Sequence, residues 1–335
     1  MKRLPKKTAK TSLKNFCTAL KRQRRFLLAC HVAPEGDAIG SLLAVQSLLR
    51  RLGKQTRVVN EDAFPERLPC LSSKTWNRAG QVKKKPGYFD ALVTTDCPTL
   101  ARIGKVRGLI GPETVIFNID HHISNNYFGH YNYVRPDAAA SGEVVFDIFK
   151  HLRIKLTRED AKNLYVAIST DTGSFKYSTT TVKSHLMAAE LIAAGIDIEK
   201  INDQIYSSYS LNKIQLYSRL LARVTTTAHG RVAWGIMRLA DLKASGATYE
   251  DTEGFIDFLR YLREVHVAFF VTEMAAGAVK ASFRAKGNYD VNRIAADFGG
   301  GGHRKASGCS IQTSPDEAAK KILRVIRRHY PRLFS

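Results

Sequence analysis

The chain has 335 residues, 44% hydrophobic and 24% charged, the composition of an ordinary soluble globular protein with length enough for two domains. Its 52 Lys and Arg against 30 Asp and Glu leave a net charge of +22, which favours polyanionic partners through counterion release and long-range steering. No run approaches the roughly 18 apolar residues that span a membrane, and Phe26-Leu27-Leu28-Ala29-Cys30 is too short for the core of a signal peptide; a cytoplasmic protein is expected.

Residues 1–25 carry ten Lys or Arg and no acid, so 1–24 read as a solvated, partly disordered basic extension. Arg25 to His31 reads as a buried strand breaking at Pro34-Glu35-Gly36, followed by a helix with Leu42, Leu43, Val45, Leu48 and Leu49 at helical spacing. Strands are expected at Thr56 to Asn60, Asp90 to Thr95 and Thr114 to Ile119, the last two running into aspartates. Helical patterns dominate from Ser141 to about Ile198, with a Thr/Ser/Gly loop at 169–181. A polar connecting helix is expected over 206–221, with the domain boundary near residue 210. Beyond it lie strand-like runs at 222–237, 266–273 and 278–284 and helical patterns at 251–264 and 314–329. Strands alternating with helices imply an α/β fold: a mostly parallel sheet with helices on both faces, then a smaller α/β domain. The five cysteines form no C-x-x-C pair, which argues against a disulfide framework or structural zinc.

In parallel sheets ligands sit beyond the carboxyl ends of the strands. Four polar clusters are expected there or in loops: His31-x3-Glu35-x-Asp37, Thr95-Asp96, Asp120-His121-His122 and Ser169-Thr170-Asp171-Thr172-Gly173. Singly, each has a plain structural explanation, since Asp96 or Asp171 could cap a helix and His31 could be a core histidine. Together they put several carboxylates and imidazoles at one sheet edge, a costly gathering of like charge unless cations neutralise it. Oxygen and imidazole donors without thiolate suit Mn²⁺ or Mg²⁺, while affinity order also admits Co²⁺ or Zn²⁺. Two ions about 3.5–4 Å apart on a bridging carboxylate would suit phosphoryl transfer.

The segments His31-x2-Pro34-Glu35-x-Asp37-Ala38-x-Gly40-Ser41, Asp96, Asp120-His121-His122 and Ser169-Thr170-Asp171-Thr172-Gly173 resemble the four motifs of the DHH phosphoesterases. Phe298-Gly-Gly-Gly-Gly302-His303-Arg304-Lys305-Ala306-Ser307-Gly308 resembles the signature of the DHH-associated C-terminal domain, so the resemblance spans about residues 25–312. It implies a metal-binding catalytic domain at 25–205, a connecting helix at 206–221 and a substrate-binding domain at 222–335, with an active-site cleft between the domains.

The resemblance also implies roles. His31, Glu35 and Asp96 would hold a first ion; Asp37, Asp96, His121 and Asp171 a second, with Asp96 bridging. Asp120 would orient His121, and His122 would face the scissile phosphate as charge stabiliser or proton donor. Glu35 departs from the commoner aspartate, placing its carboxylate one methylene further out. Gly300, Gly301 and Gly302 would bring backbone N–H groups close to substrate, beside His303, with Arg284 gripping a phosphate and Arg102 a further phosphate contact. Mn²⁺ is the ion expected, with Mg²⁺ or Co²⁺ as alternatives.

Within the family, the two-domain layout is similar to the bacterial nanoRNase and pAp (3′-phosphoadenosine 5′-phosphate) phosphatase branch. That implies a short RNA or small nucleotide as substrate, with nonspecific nucleic-acid contact through the basic surface. A cyclic-dinucleotide phosphodiesterase, a RecJ-like single-strand exonuclease and a non-enzymatic nucleic-acid-binding module are the alternatives. A family II pyrophosphatase shares the first domain but not the Gly-rich signature. The sequence leaves the oligomeric state open, a homodimer included.

Overall fold

The computed structural model describes residues 10–72, 74–275 and 277–335. They form two compact units, Met1–Ser208 and Tyr209–Ser335. No helix among the described residues is long and apolar enough to cross a membrane.

The first unit is built on β1 (Arg25–Cys30), β2 (Gln55–Asn60), β3 (Trp76–Arg78), β4 (Ala91–Thr95), β5 (Val115–Asp120) and β6 (Tyr131–Val134). They form one sheet in the order β3-β2-β1-β4-β5-β6, every pair parallel. The chain winds outward from β1 through β2 and β3, then returns to lay β4 on the other side of β1. The carboxyl ends of β1 and β4 therefore flank the point where the winding reverses, the usual ligand position in such sheets. Central strand β1 is apolar on both faces, as burial from two sides demands. Phe26, Leu28 and Cys30 enter one core and Leu27 and Ala29 the other.

The first core is covered by α1 (Leu13–Arg22), α2 (Gly36–Arg51), α3 (Ser141–Leu152), α4 (Arg158–Asp171), α5 (Val182–Ala193) and α6 (Ile198–Tyr206). The opposite face is covered by the 3-10 segment Leu100–Leu109, through Leu100, Ile103, Val106 and Leu109.

Three sequence expectations need correction here. Residues 1–9 of the basic extension lie outside the described residues, but 13–22 are an amphipathic helix and not a solvated tail. Phe16, Cys17, Ala19 and Leu20 are buried, with Phe16 edge-on to Phe117 at 5.4 Å, and the basic side chains occupy the outer face. The expected loop at 169–181 begins later, because Ser169, Thr170 and Asp171 complete α4. The Thr170 and Thr172 hydroxyls donate back to the Val166 and Ile168 carbonyls at 2.9 and 2.6 Å, so these polar side chains are satisfied within a helix. The chain turns only at Gly173, Ser174 and Phe175, all at positive φ. The polar connecting helix is two elements: α6 ends at Tyr206, and α7 (Leu211–Leu221) starts on a Ser210 cap. α7 is not a solvated connector, since Leu216, Tyr217 and Leu220 enter the core of the second unit.

The second unit continues with β7 (Thr225–Thr227), β8 (Val232–Met237), α8 (Leu239–Ser245), α9 (Phe255–Tyr261), β9 (Val267–Glu273), β10 (Val279–Ala285), α10 (Val291–Ala296), β11 (Gly301–Gly302), β12 (Ala306–Ile311) and α11 (Pro315–His329). Its sheet runs β11-β12-β10-β9-β8-β7, mixed because β8 and β9 are parallel. Alternation along β9 feeds both faces. Val267, Phe269 and Val271 pack with α10 and α11, and Ala268 and Phe270 with α7, α8 and α9.

Candidate metal centre

His31 follows β1, Asp96 follows β4, and Asp120 closes β5 with His121 and His122 behind it. Parallel register brings these ends together at the winding reversal, where Asp37 in the first turn of α2 and Asp171 at the end of α4 join them. Asp37, Asp96, Asp120, His31 and His121 are all at most 5% exposed. Asp96 sits at φ 55°, a left-handed conformation for a residue at a strand end.

Asp96 is shared by three groups of potential ligand atoms, each within 4.8 Å: His31 with Glu35, Asp37 with His121, and Asp120 with His122. Its Oδ2 faces His31 Nε2 at 3.3 Å, and its Oδ1 faces His121 Nε2 at 3.6 Å. His121 Nε2 also lies 3.8 Å from Asp37 Oδ2 and 3.3 Å from Asp171 Oδ2. Glu35 is exposed at the start of α2, on a loop tied by Val32 N–H to the Arg102 carbonyl (2.8 Å) and Ala33 N–H to Asp62 (2.5 Å).

Each of the two buried histidines is anchored at Nδ1 by a backbone carbonyl: His31 by Val32 (2.8 Å) and His121 by Ala138 (3.2 Å). With Nδ1–H donating there, Nε2 of a neutral ring would turn a lone pair toward carboxylates. That is unfavourable without a cation or a proton between them, and it is the tautomer a metal-ligating histidine takes.

The charges agree. Burial, reinforced by the charge of Asp96, pushes the Asp37 and Asp171 carboxyls well above the usual range. For Asp96, burial opposes ionisation, but the hydrogen bond with His31 and the charges of His122, His31 and His121 hold its carboxyl far below that range. Among the described residues, the ion pairs of these aspartates run to histidines, not to Lys or Arg. Oxygen and imidazole donors shared through Asp96 fit divalent cations.

The expectation that Asp120 orients His121 is overturned. Asp120 Oδ1 accepts from His122 Nδ1 at 2.7 Å and from the His121 backbone N–H at 2.9 Å, while its Oδ2 accepts from Asn125. At the end of an extended strand, residues i and i+2 share a side and i and i+1 do not. Asp120 therefore fixes His122, and Ala138 fixes His121. Burial favours a neutral His122, yet the Asp120 hydrogen bond and the charge of Asp96 push the ring upward, to about 10.

Arg102 is exposed in the 3-10 segment behind Asp96. Within the second unit, Arg284 is half-buried on β10, its Nε 3.6 Å from Asp257. Gly301 and Gly302 form the short strand β11 against β12, and His303 opens the turn, with its N–H on the Ala306 carbonyl at 2.7 Å. Gly300 is held by close packing. The Gly300 N–H is engaged by the Ala295 carbonyl at 2.9 Å, and a Cβ on Gly300 would lie 2.2 Å from the Gly308 carbonyl oxygen. The sequence reading did not single out the groups that hold the acids. These are Ser41, Ser141 and Gly142 on Asp37, Ser141 on Asp96, and Asn125 on Asp120.

Residues 25–168 match the DHH family N-terminal domain, and residues 236–329 match the DHHA1 domain. A bifunctional oligoribonuclease and PAP phosphatase NrnA of Thermus thermophilus is 32% identical over 306 residues, 91% of this chain and 90% of that one. The chain belongs to the DHH family of phosphoesterases. The Bacillus subtilis protein of the same description is 27% identical over 87% of this DHH chain and 90% of its own. The fold is shared with an exopolyphosphatase-related protein of Bacteroides fragilis, at a TM-score of 0.89 and 24% identity over 96% and 97% of the two chains.

Proposed function

We propose that this DHH protein is a two-metal phosphoesterase that hydrolyses short oligoribonucleotides and pAp to mononucleotides, with Mn²⁺ as its ion. The observation carrying this reading is Asp96, whose two oxygens face different donor groups, His31 on one side and His121 with Asp37 and Asp171 on the other. His31, Glu35 and Asp96 hold one ion, and Asp37, Asp96, His121 and Asp171 the other. Bound there, divalent ions would supply Lewis acidity toward the phosphate and an attacking water.

The remaining work falls to the chain's own groups. His122, gripped at Nδ1 by Asp120, stabilises charge on a phosphate oxygen or protonates the departing one. Arg284, His303, Gly301 and Gly302 bind the terminal nucleotide, and Arg102 supplies a further phosphate contact. The NrnA relatives, matched over most of their length, support this choice of substrates. The enzyme works in the cytoplasm, where its five buried free thiols remain reduced.

The test compares Mn²⁺-dependent hydrolysis of pAp, a 5′-labelled RNA trimer, an RNA of some two dozen nucleotides and cyclic di-AMP. Fast turnover of pAp and the trimer with a slow longer strand is expected. Turnover confined to the longer strand or to the cyclic dinucleotide would replace this reading with an exonuclease or a cyclic-dinucleotide phosphodiesterase.

A further inference from the structure

Asp96 and two of its neighbours come from distant parts of the chain, yet one short segment touches all three. Asp37 lies in the first turn of α2, Asp96 behind β4 and His121 behind β5. The Ala138 carbonyl takes His121 Nδ1 at 3.2 Å. The Ser141 and Gly142 N–H groups donate to Asp37 Oδ2 and Oδ1 at 2.7 and 2.9 Å. The Ser141 hydroxyl donates to Asp96 Oδ1 at 3.0 Å, the oxygen that faces His121.

The segment is itself immobilised. Ala138, Ala139, Ala140 and Ser141 are at most 6% exposed, and a Cβ on Gly142 would stand 2.7 Å from the Ala167 methyl of α4.

We infer that Ala138–Gly142 is the template that orients the second ion's ligands, and that Ser141 is its positioning side chain, fixing the plane of the Asp96 carboxylate so that one oxygen faces His121 and the other His31. This rests on the two-ion reading above. A carboxylate with two equivalent oxygens can rotate about its Cβ–Cγ bond, and Asp96 has His31 drawing on Oδ2. The Ser141 hydroxyl holds the other oxygen toward His121, so the donors of both groups are oriented by the chain itself. Loss of such an outer partner typically weakens metal affinity about 10- to 100-fold. Here the loss should fall mainly on the second ion, because the segment holds Asp37, His121 and the Asp96 oxygen that faces them, whereas the His31 ring meets Val32 and Asp96.

The experiment is calorimetric titration of metal-free full-length protein with Mn²⁺, for wild type, Ser141→Ala and Ser141→Cys, with steady-state hydrolysis of pAp alongside. Wild type should take up two ions. Ser141→Ala should bind one with wild-type affinity and the second about 10- to 100-fold more weakly, with kcat falling and KM nearly unchanged. Ser141→Cys, close in shape and keeping a weak S–H donor, should fall between them, and it carries the comparison if the alanine variant does not fold. A hydroxyl that merely supported the fold would lower the melting temperature without separating the two affinities. Two wild-type affinities in both variants would overturn the assignment. Failure of wild type itself to bind a second ion would instead sink the two-ion reading, and the role of Ser141 with it.

Discussion

Asp96 stands where β4 leaves the sheet, in a left-handed backbone conformation that an aspartate tolerates better than most residues. Its carboxylate is 1% exposed, and only there can its two oxygens face histidines on opposite sides. Removing the side chain strips a donor from both groups and leaves Asp37 and Asp171 facing His121 with nothing to complete either ion site. Asp96→Ala should therefore lower kcat by more than about a hundredfold, beyond what loss of an outer partner causes. Saturating Mn²⁺ should not restore it, and near-normal turnover of pAp under those conditions would refute the shared-carboxylate arrangement. At this scale the acids and imidazoles were legible in the sequence because their chemistry is costly to bury without a purpose. The groups that aim them were not. Ser141 and the Ala138 carbonyl act through a backbone atom and a common hydroxyl, which carry no compositional signal until α3 is docked. The partner of Asp120 was misread for a geometric reason, since adjacency in sequence is opposition in space at a strand end.

Among the elements, the apolar strands and long helices followed from their periodicity, whereas α1 was hidden by its own charge. Leu13, Phe16, Cys17 and Leu20 keep helical spacing, but the lysines and arginines between them dominate a compositional reading. The short strands β3 and β6 were not anticipated, because three or four residues are too few to show a period of two. The Gly-rich signature was visible, and at Gly300 the structure adds a packing constraint. The backbones of β11 and β12 approach so closely that Gly300 leaves no space for a methyl group. Gly300→Ala should force the two strands apart and destabilise the second unit by about 1–3 kcal/mol, the usual cost of overpacking. Mn²⁺ uptake by the first unit should be unchanged. Thermal unfolding beside a Mn²⁺ titration checks both. A variant of wild-type stability that loses pAp affinity would return the glycine to a direct role in binding.

Over the whole molecule the basic excess is shared by both units. Residues 209–335 carry 20 Lys and Arg against 11 Asp and Glu, and residues 1–208 carry the rest of the +22. Some of this charge is structural, as in the pairing of Arg135 with Asp147 and of Arg25 with Asp90. Other cations stand in solvent, such as Lys320, Lys321 and Arg324 along the outer face of α11 and Lys83, Lys84 and Lys85 on a loop. Whether this surface takes part in substrate capture has a thermodynamic signature. Each phosphate neutralised on a single strand releases counterions and steepens the fall of log K with log salt by about 0.7. A substrate held only by its terminal nucleotide engages few phosphates, so pAp and an RNA trimer should show shallow and similar slopes. An RNA of some two dozen nucleotides that also lies along exposed Lys and Arg should show a clearly steeper one. Measuring KM for all three across a series of KCl concentrations decides the matter. A steeper slope for the long strand makes the exposed charge a capture surface that concentrates RNA ends near the enzyme. Equal slopes would leave recognition to the terminal nucleotide alone, with the exposed cations serving only to keep the chain solvated.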